Sequence, residues 1–109
     1  MNIDKKENYT LITPTETSHD DFLEVLKISD FEKENLILDF SNSFEITTKQ
    51  IDGYSEISMY KKENGTSFII IRNDIEIDKL EDELLSVTPT LTEAEDTLEM
   101  DNIERDLGF

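Results

Sequence analysis

Short apolar runs alternate with amphipathic segments along this chain, and the runs predict strands. Residues 9–13 are rich in aromatic and β-branched side chains, which indicates a first strand, and we expect it at a sheet edge. Residues 35–40 and Phe68–Ile71 are nearly continuous apolar runs, typical of parallel strands buried on both faces. Residues 85–88 predict a short last strand.

Three helix starts are marked by capping residues. Ser18 precedes a segment whose apolar residues share one face, and this helix should end within residues 29–34. Thr47 and Gln50 match a capping box and begin a second helix, which Asn64 and Gly65 should end. The apolar positions of these two predicted helices are Phe22, Leu23, Val25 and Leu26 in the first, and Ile51, Tyr54, Ile57 and Tyr60 or Met59 in the second, with Ile46 and Ile51 as a hydrophobic staple.

A second capping box, Thr90 to Glu93, predicts a final acidic helix over about residues 90–108. Its apolar positions 91, 94 and 98 share a stripe, whereas Ile103 and Leu107 follow in a different phase. We therefore expect a kink or restart near residues 100–102. We also expect Ile103 and Leu107 to pack on the chain's own sheet, the alternative being a partner.

These elements predict a single α/β domain over residues 1–109, with a mixed, mostly parallel sheet of about four strands and about four helices. Residues 74–78 fit either a short strand or a loop, and residues 80–84 fit a brief helix.

The charge balance restricts the possible partners. Twenty-seven Asp and Glu residues face ten Lys and Arg residues, a net charge of −17, so phosphate backbones and anionic lipid surfaces should be repelled. We expect neither nucleic acid nor membrane as a partner. The excess acid either forms a contact surface or serves solubility alone. Residues 74–109 carry thirteen acids and two bases, a net of −11.

The chain contains no cysteine, which excludes disulfides and thiolate zinc sites and fits a reducing compartment. The first residues lack the apolar core of a secretory signal, and no apolar stretch approaches the roughly 20 residues of a membrane span. We therefore expect a cytoplasmic protein.

Catalytic and ligand-binding signatures are not evident in the sequence. The single histidine, His19, lies at a helix start beside two aspartates and is expected to be exposed. Glycines 53, 65 and 108 are too dispersed for a nucleotide-binding loop. We expect no catalytic residues, no metal and no cofactor. An enzyme that uses carboxylates alone is the remote alternative, and a deep cleft with convergent buried acids would be its sign.

The order of elements resembles the STAS domain of bacterial anti-sigma-factor antagonists and sulfate transporters. The most specific likeness is residues 36–42, Leu-Ile-Leu-Asp-Phe-Ser-Asn, which is similar to the family's segment from strand to loop. In antagonists that loop carries Asp-Ser-Ser-Gly with a phosphorylated serine. Counted from Asp39, Lys49 stands at that serine and Gln50 at the glycine, so the serine phosphoswitch does not carry over unchanged. Thr47 or Thr48 could replace it.

The C-terminal segments 87–94 and 103–109 resemble a group of short STAS-like proteins of Bacteroidetes bacteria, which are often labelled ribonuclease Z. That nuclease needs several histidines for two zinc ions, and this chain has one. We therefore set the nuclease function aside.

The resemblance implies a regulatory domain that binds another protein. We expect the chain to be a monomer or a weak homodimer. Its contact surface would be the loop before the second helix and the start of that helix. The alternative is that Thr47 only caps its helix and the serines bond their own backbone. A second candidate function is an acidic accessory subunit of a basic or RNA-processing protein, using the final helix. The predicted partner-binding residues are Asp39, Ser41, Ser43, Thr47, Thr48 and Lys49.

Overall fold

A computed structural model describes residues 1–31 and 33–108. One mixed sheet contains five strands, in the order β1 (Asn2–Lys5), β2 (Thr10–Thr13), β3 (Leu36–Asp39), β4 (Phe68–Ile71) and β5 (Ser86–Thr88). β1 is antiparallel to β2, and the other neighbouring pairs are parallel. The radius of gyration of 13.1 Å is that of a compact domain of this length. The predicted α/β domain with a mixed, mostly parallel sheet is therefore confirmed. The helical elements, with their places in the chain, are α1 (His19–Lys27) between β2 and β3, α2 (Thr48–Asp52) and α3 (Ser55–Glu63) between β3 and β4, a 3-10 turn (Ile77–Lys79) between β4 and β5, and α4 (Leu91–Asp106) after β5.

Each face of the sheet has its own apolar core. One core packs α1, α2 and α3 against β3 and β4, with Phe22, Phe40 and Tyr54 among its largest buried side chains. In the other core, Ala94 and Leu98 of α4 pack against Ile37 of β3 and against Ile69 and Ile71 of β4. Because both faces are covered, β4 is buried at all four positions, as its continuous apolar run predicts.

The N-terminal strand was not predicted, and its presence changes the position of β2. All four residues of β1 are exposed, so their sequence has no buried-face periodicity, and the strand forms through backbone pairing with β2. The expectation that residues 9–13 form an edge strand is wrong, because β2 lies between β1 and β3.

The second predicted helix is two helices. The capping box and the stop at Gly65, which has φ +77°, are confirmed, but α2 ends at Asp52 and α3 begins at Ser55. Glycine is a poor residue for a helix interior, and Gly53 and Tyr54 form the break. The break lets Tyr54 bury its ring, which is 1% exposed.

The acidic segment after β4 contains no strand at residues 74–78 and no helix at residues 80–84. A single 3-10 turn, Ile77–Lys79, precedes β5 instead. The final helix begins as predicted, because the Thr90 hydroxyl accepts a hydrogen bond from the Glu93 amide. It then continues without the expected restart near residue 100. Ile103 and Leu107 are exposed, so the expectation that they pack on the sheet is wrong.

Candidate functional site

The predicted contact surface lies at the carboxyl ends of two central parallel strands. The loop of residues 40–47, here called the β3–α2 loop, leaves β3 and enters α2. Its backbone is tied to the next strand because the Phe40 amide donates to the Ile71 carbonyl at 2.9 Å. Loops at this edge of a parallel sheet are where such folds usually bind their ligands and partners.

The first part of the loop is held by short-range hydrogen bonds. Oδ1 of the half-buried Asp39 accepts from the Ser41 amide at 3.0 Å and from the Ser41 hydroxyl at 2.5 Å. The Ser43 hydroxyl donates to the Phe40 carbonyl at 3.1 Å. Both serines therefore bond within their own turn, as the alternative interpretation of these residues expects.

The start of α2 is also satisfied by its own side chains. The Thr47 hydroxyl accepts from the Gln50 amide at 3.2 Å, and Gln50 Oε1 accepts from the Thr47 amide at 2.9 Å. This is a complete capping box, with Ile46 and Ile51 both buried beside it. Because α2 is five residues long and the amides of its N-cap Thr47 and its third residue Gln50 are occupied, its N-terminus is a weak candidate for binding an anion.

Thr48 and Lys49 differ from the other four predicted residues. Thr48 is half-buried and Lys49 is exposed, and within the described residues neither side chain has a hydrogen bond or an ion pair. The structure thus places Asp39 at the end of β3, Ser41, Ser43 and Thr47 in the loop that follows, and Thr48 and Lys49 in the first turn of α2. The first four form hydrogen bonds that hold the loop and the helix start. Thr48 and Lys49 do not, within the part of the chain that the structure describes, so their side chains are available for contact.

Arg72, which the sequence interpretation missed, holds the loop from the neighbouring strand end. Its side chain is 11% exposed, and Nη1 donates to the Phe40 carbonyl at 2.7 Å and the Phe44 carbonyl at 3.1 Å. Nε donates to Asp74 Oδ1 at 2.6 Å, and this hydrogen bond lowers the pKa of the Asp74 carboxyl. A lone arginine directly after a buried strand, followed two residues later by an aspartate, was the available sequence signal.

An aromatic cluster lies beneath the loop. The Phe44 ring packs against His19, Phe22 and Phe40, with ring centroids 5.7 to 5.9 Å apart. The loop is therefore anchored from below by apolar packing and from the side by Arg72. Anchoring of this kind reduces the entropy that a partner must remove when it binds.

The expectation that His19 is exposed is wrong. His19 is 7% exposed, and its Nε2 lies 2.9 Å from the Tyr54 hydroxyl. Burial lowers the pKa of His19, because the charged imidazolium would lose its hydration, and it raises the pKa of Tyr54. As the first residue of α1, His19 packs its ring edge-on against Tyr54 and Phe44.

Acidic side chains are dispersed over the surface of the described residues and do not converge in a cleft. None of the Asp and Glu residues that the structure describes is buried, and the described residues contain no group of three or more His, Asp or Glu that could hold a metal ion. A cavity of about 460 Å³ lies between the end of α1 and α3, with Leu26, Leu36 and Phe68 among its walls, and the acids on its lining, Asp30 and Glu56, are exposed. Among the described helices, none combines the length and apolar character needed to cross a bilayer.

Comparison with known proteins gives no family assignment. No protein family model matches the chain, and no curated protein matches it.

Proposed function

We propose that this chain is a non-enzymatic protein-interaction domain of STAS type, whose contact surface is the β3–α2 loop with the first turn of α2. The observation that carries the proposal is the double anchoring of this loop, by Arg72 on its backbone and by Phe44 below it. A surface loop held this firmly, with Thr48 and Lys49 open, is organised for contact with another molecule.

The arrangement of elements supports the STAS part of the proposal. The resemblance implies a strand, a helix, a buried strand, a capped helix, a second buried strand, a short strand and an acidic final helix. The observed order contains all of these in sequence, with β1 added before them and the capped helix divided into α2 and α3. The segment of the closest likeness, residues 36–42, forms β3 and the start of the β3–α2 loop.

The chemistry of the loop argues for a contact that does not depend on a phosphorylated serine. Lys49 occupies the place of the family's phosphorylated serine and is a basic residue on a strongly acidic protein. A partner that recognises this site would present an acidic or hydrogen-bond-accepting group to Lys49. The Thr47 hydroxyl serves its capping box, so Thr48 is the residue at which a phosphate would change the surface with least cost to the fold.

The test compares two reversals of charge at opposite ends of the parallel strands. Lys49 follows β3, whereas Lys33 precedes it, and both are exposed without an ion pair among the described residues. Tagged wild type, Lys49→Glu and Lys33→Glu would each be used to retrieve proteins from the native cytoplasm, with quantitative mass spectrometry. We expect at least one protein to be retained by wild type and by Lys33→Glu and lost with Lys49→Glu.

Retention of the same proteins by all three baits would refute the loop as the contact surface. Retention of no protein above background would refute an interaction domain. Asp39→Ala and Thr48→Glu complete the series. Asp39→Ala releases the Ser41 turn, and Thr48→Glu alters the open surface without removing a hydrogen bond of the loop.

A further inference from the structure

The last two turns of α4 and its C-cap carry an outward apolar stripe. Met100, Ile103 and Leu107 are 59%, 48% and 66% exposed. Their spacing of three and four residues is that of successive a, d and a positions of a coiled-coil heptad. An amphipathic helix that packs on another helix uses this spacing for its anchor residues.

The opposite side of the same turns is bound to the sheet. The hydroxyl of Ser67, which is 1% exposed, donates to Asp101 Oδ2 at 2.8 Å and accepts from Arg105 Nη1 at 3.1 Å. At about 100° of rotation per residue, Asp101 and Arg105 lie on the side of α4 away from the stripe. These bonds fix the rotation of the helix, so the stripe faces outward in the chain by itself.

Acidic residues flank the stripe on both sides. With Met100 and Ile103 at a and d positions, Glu99, Glu104 and Asp106 fall at the e and g positions, and all three are exposed. Arg105, the basic residue of α4, donates to Ser67 on the other side of the helix and does not neutralise these acidic side chains. In a coiled coil the e and g positions meet the charges of the partner helix, and their sign selects the partner.

We propose that this stripe docks a cationic amphipathic helix of another protein, apolar at its own a and d positions and carrying Lys or Arg at e and g. A second copy of this chain fits poorly, because two acidic flanks would meet and each molecule carries a net charge of −17. The surface is separate from the β3–α2 loop, so the inference does not depend on the proposed function.

The test measures binding of a fluorescent helical peptide with leucine at a and d and lysine at e and g, by anisotropy. A matched peptide carries glutamate at e and g. The stripe variant replaces its three apolar residues by glutamine, which has a helix propensity close to that of methionine. The control variant makes the same replacement at three exposed apolar residues elsewhere. The stripe variant is Met100→Gln, Ile103→Gln and Leu107→Gln, and the control variant is Ile28→Gln, Met59→Gln and Leu84→Gln.

We expect wild type and the control variant to bind the lysine peptide within about twofold of each other, and the stripe variant to bind it about tenfold more weakly or worse. Raising the salt concentration from about 0.05 to 0.5 M should weaken the wild-type complex, because the flanking ion pairs are exposed. Equal urea midpoints for the three proteins would establish that the variants are folded.

Three results would overturn the inference. The stripe variant could bind the lysine peptide as well as wild type does, or wild type could bind the glutamate peptide equally well. Sedimentation could also show a wild-type dimer that the stripe variant abolishes, which would make a second copy the occupant.

Discussion

Replacing Arg72 tests whether one side chain holds the β3–α2 loop in place. Arg72→Met keeps most of the aliphatic stem and removes the donors to the Phe40 and Phe44 carbonyls. The Phe40 carbonyl retains Ser43 as a donor, so the loss falls mainly on Phe44. Hydrogen bonds from a charged donor contribute about 1.5–3 kcal/mol each, and we expect a net loss of about 2–3 kcal/mol in the free energy of unfolding.

Asp74→Asn is the matched control, because it disturbs the same arginine without touching the loop. Asp74 is 60% exposed, so its ion pair is screened by solvent and should contribute less than about 1 kcal/mol. Arg72→Lys should fall between the two, since an ammonium group cannot reproduce the planar fork of donors. The expected order of stability is wild type, Asp74→Asn, Arg72→Lys and Arg72→Met.

Urea unfolding followed by circular dichroism gives these free energies, and hydrogen exchange of the amides of residues 41–46 reports on the loop itself. At this chain length, a loss of 2–3 kcal/mol corresponds to a melting temperature lower by about 9–13 °C. If Arg72→Met were no less stable than Asp74→Asn, or if its loop amides were protected as in wild type, the assigned role of Arg72 would be wrong.

Three further predictions, which need four substitutions, concern the two faces of the sheet. Because the pKa of His19 is lowered in the fold, the unfolded state takes up the proton first, and wild type should lose stability relative to His19→Gln as the pH falls below about 6.5. Urea midpoints of the two proteins that run parallel between about pH 7.5 and 5.5 would contradict this. Tyr54→Phe should lower the free energy of unfolding by about 1–2 kcal/mol, measured in urea, because it leaves the buried His19 Nε2 without its hydrogen-bond partner. An unchanged urea midpoint would show that this hydrogen bond contributes nothing to stability. In calorimetry, Leu98→Ala should lower the free energy of unfolding by about 2–4 kcal/mol and Met100→Ala by less than about 0.5 kcal/mol, because Leu98 is 3% exposed and Met100 is 59% exposed. Equal losses of stability would contradict the assigned faces of α4.

Sequence patterns predicted the parts of the fold in which side chains determine the local structure. The continuous apolar runs that form β3 and β4 and the caps at Ser18, Thr47 and Thr90 all carry their signal in adjacent residues. β1 has no such signal, because an exposed strand that pairs through its backbone needs no apolar periodicity.

The candidate site was predictable only in part, for a related reason. The loop could be placed from the end of β3 and the capping box at Thr47. The role of Arg72 depends on contacts with Phe40 and Phe44, about 30 residues earlier in the chain, and such contacts follow from strand order. The burial of His19 likewise depends on Tyr54, which the break before α3 turns inward.

The placement of α4 has a consequence for synthesis on the ribosome. The first three helices lie between strands in the chain and can cover their face of the sheet as it forms. The second face, with Ile37, Ile69 and Ile71, is covered by a helix that follows all five strands. During translation those isoleucines are therefore exposed until α4 has emerged, and a nascent chain stalled after β5 would present an aggregation-prone surface to chaperones.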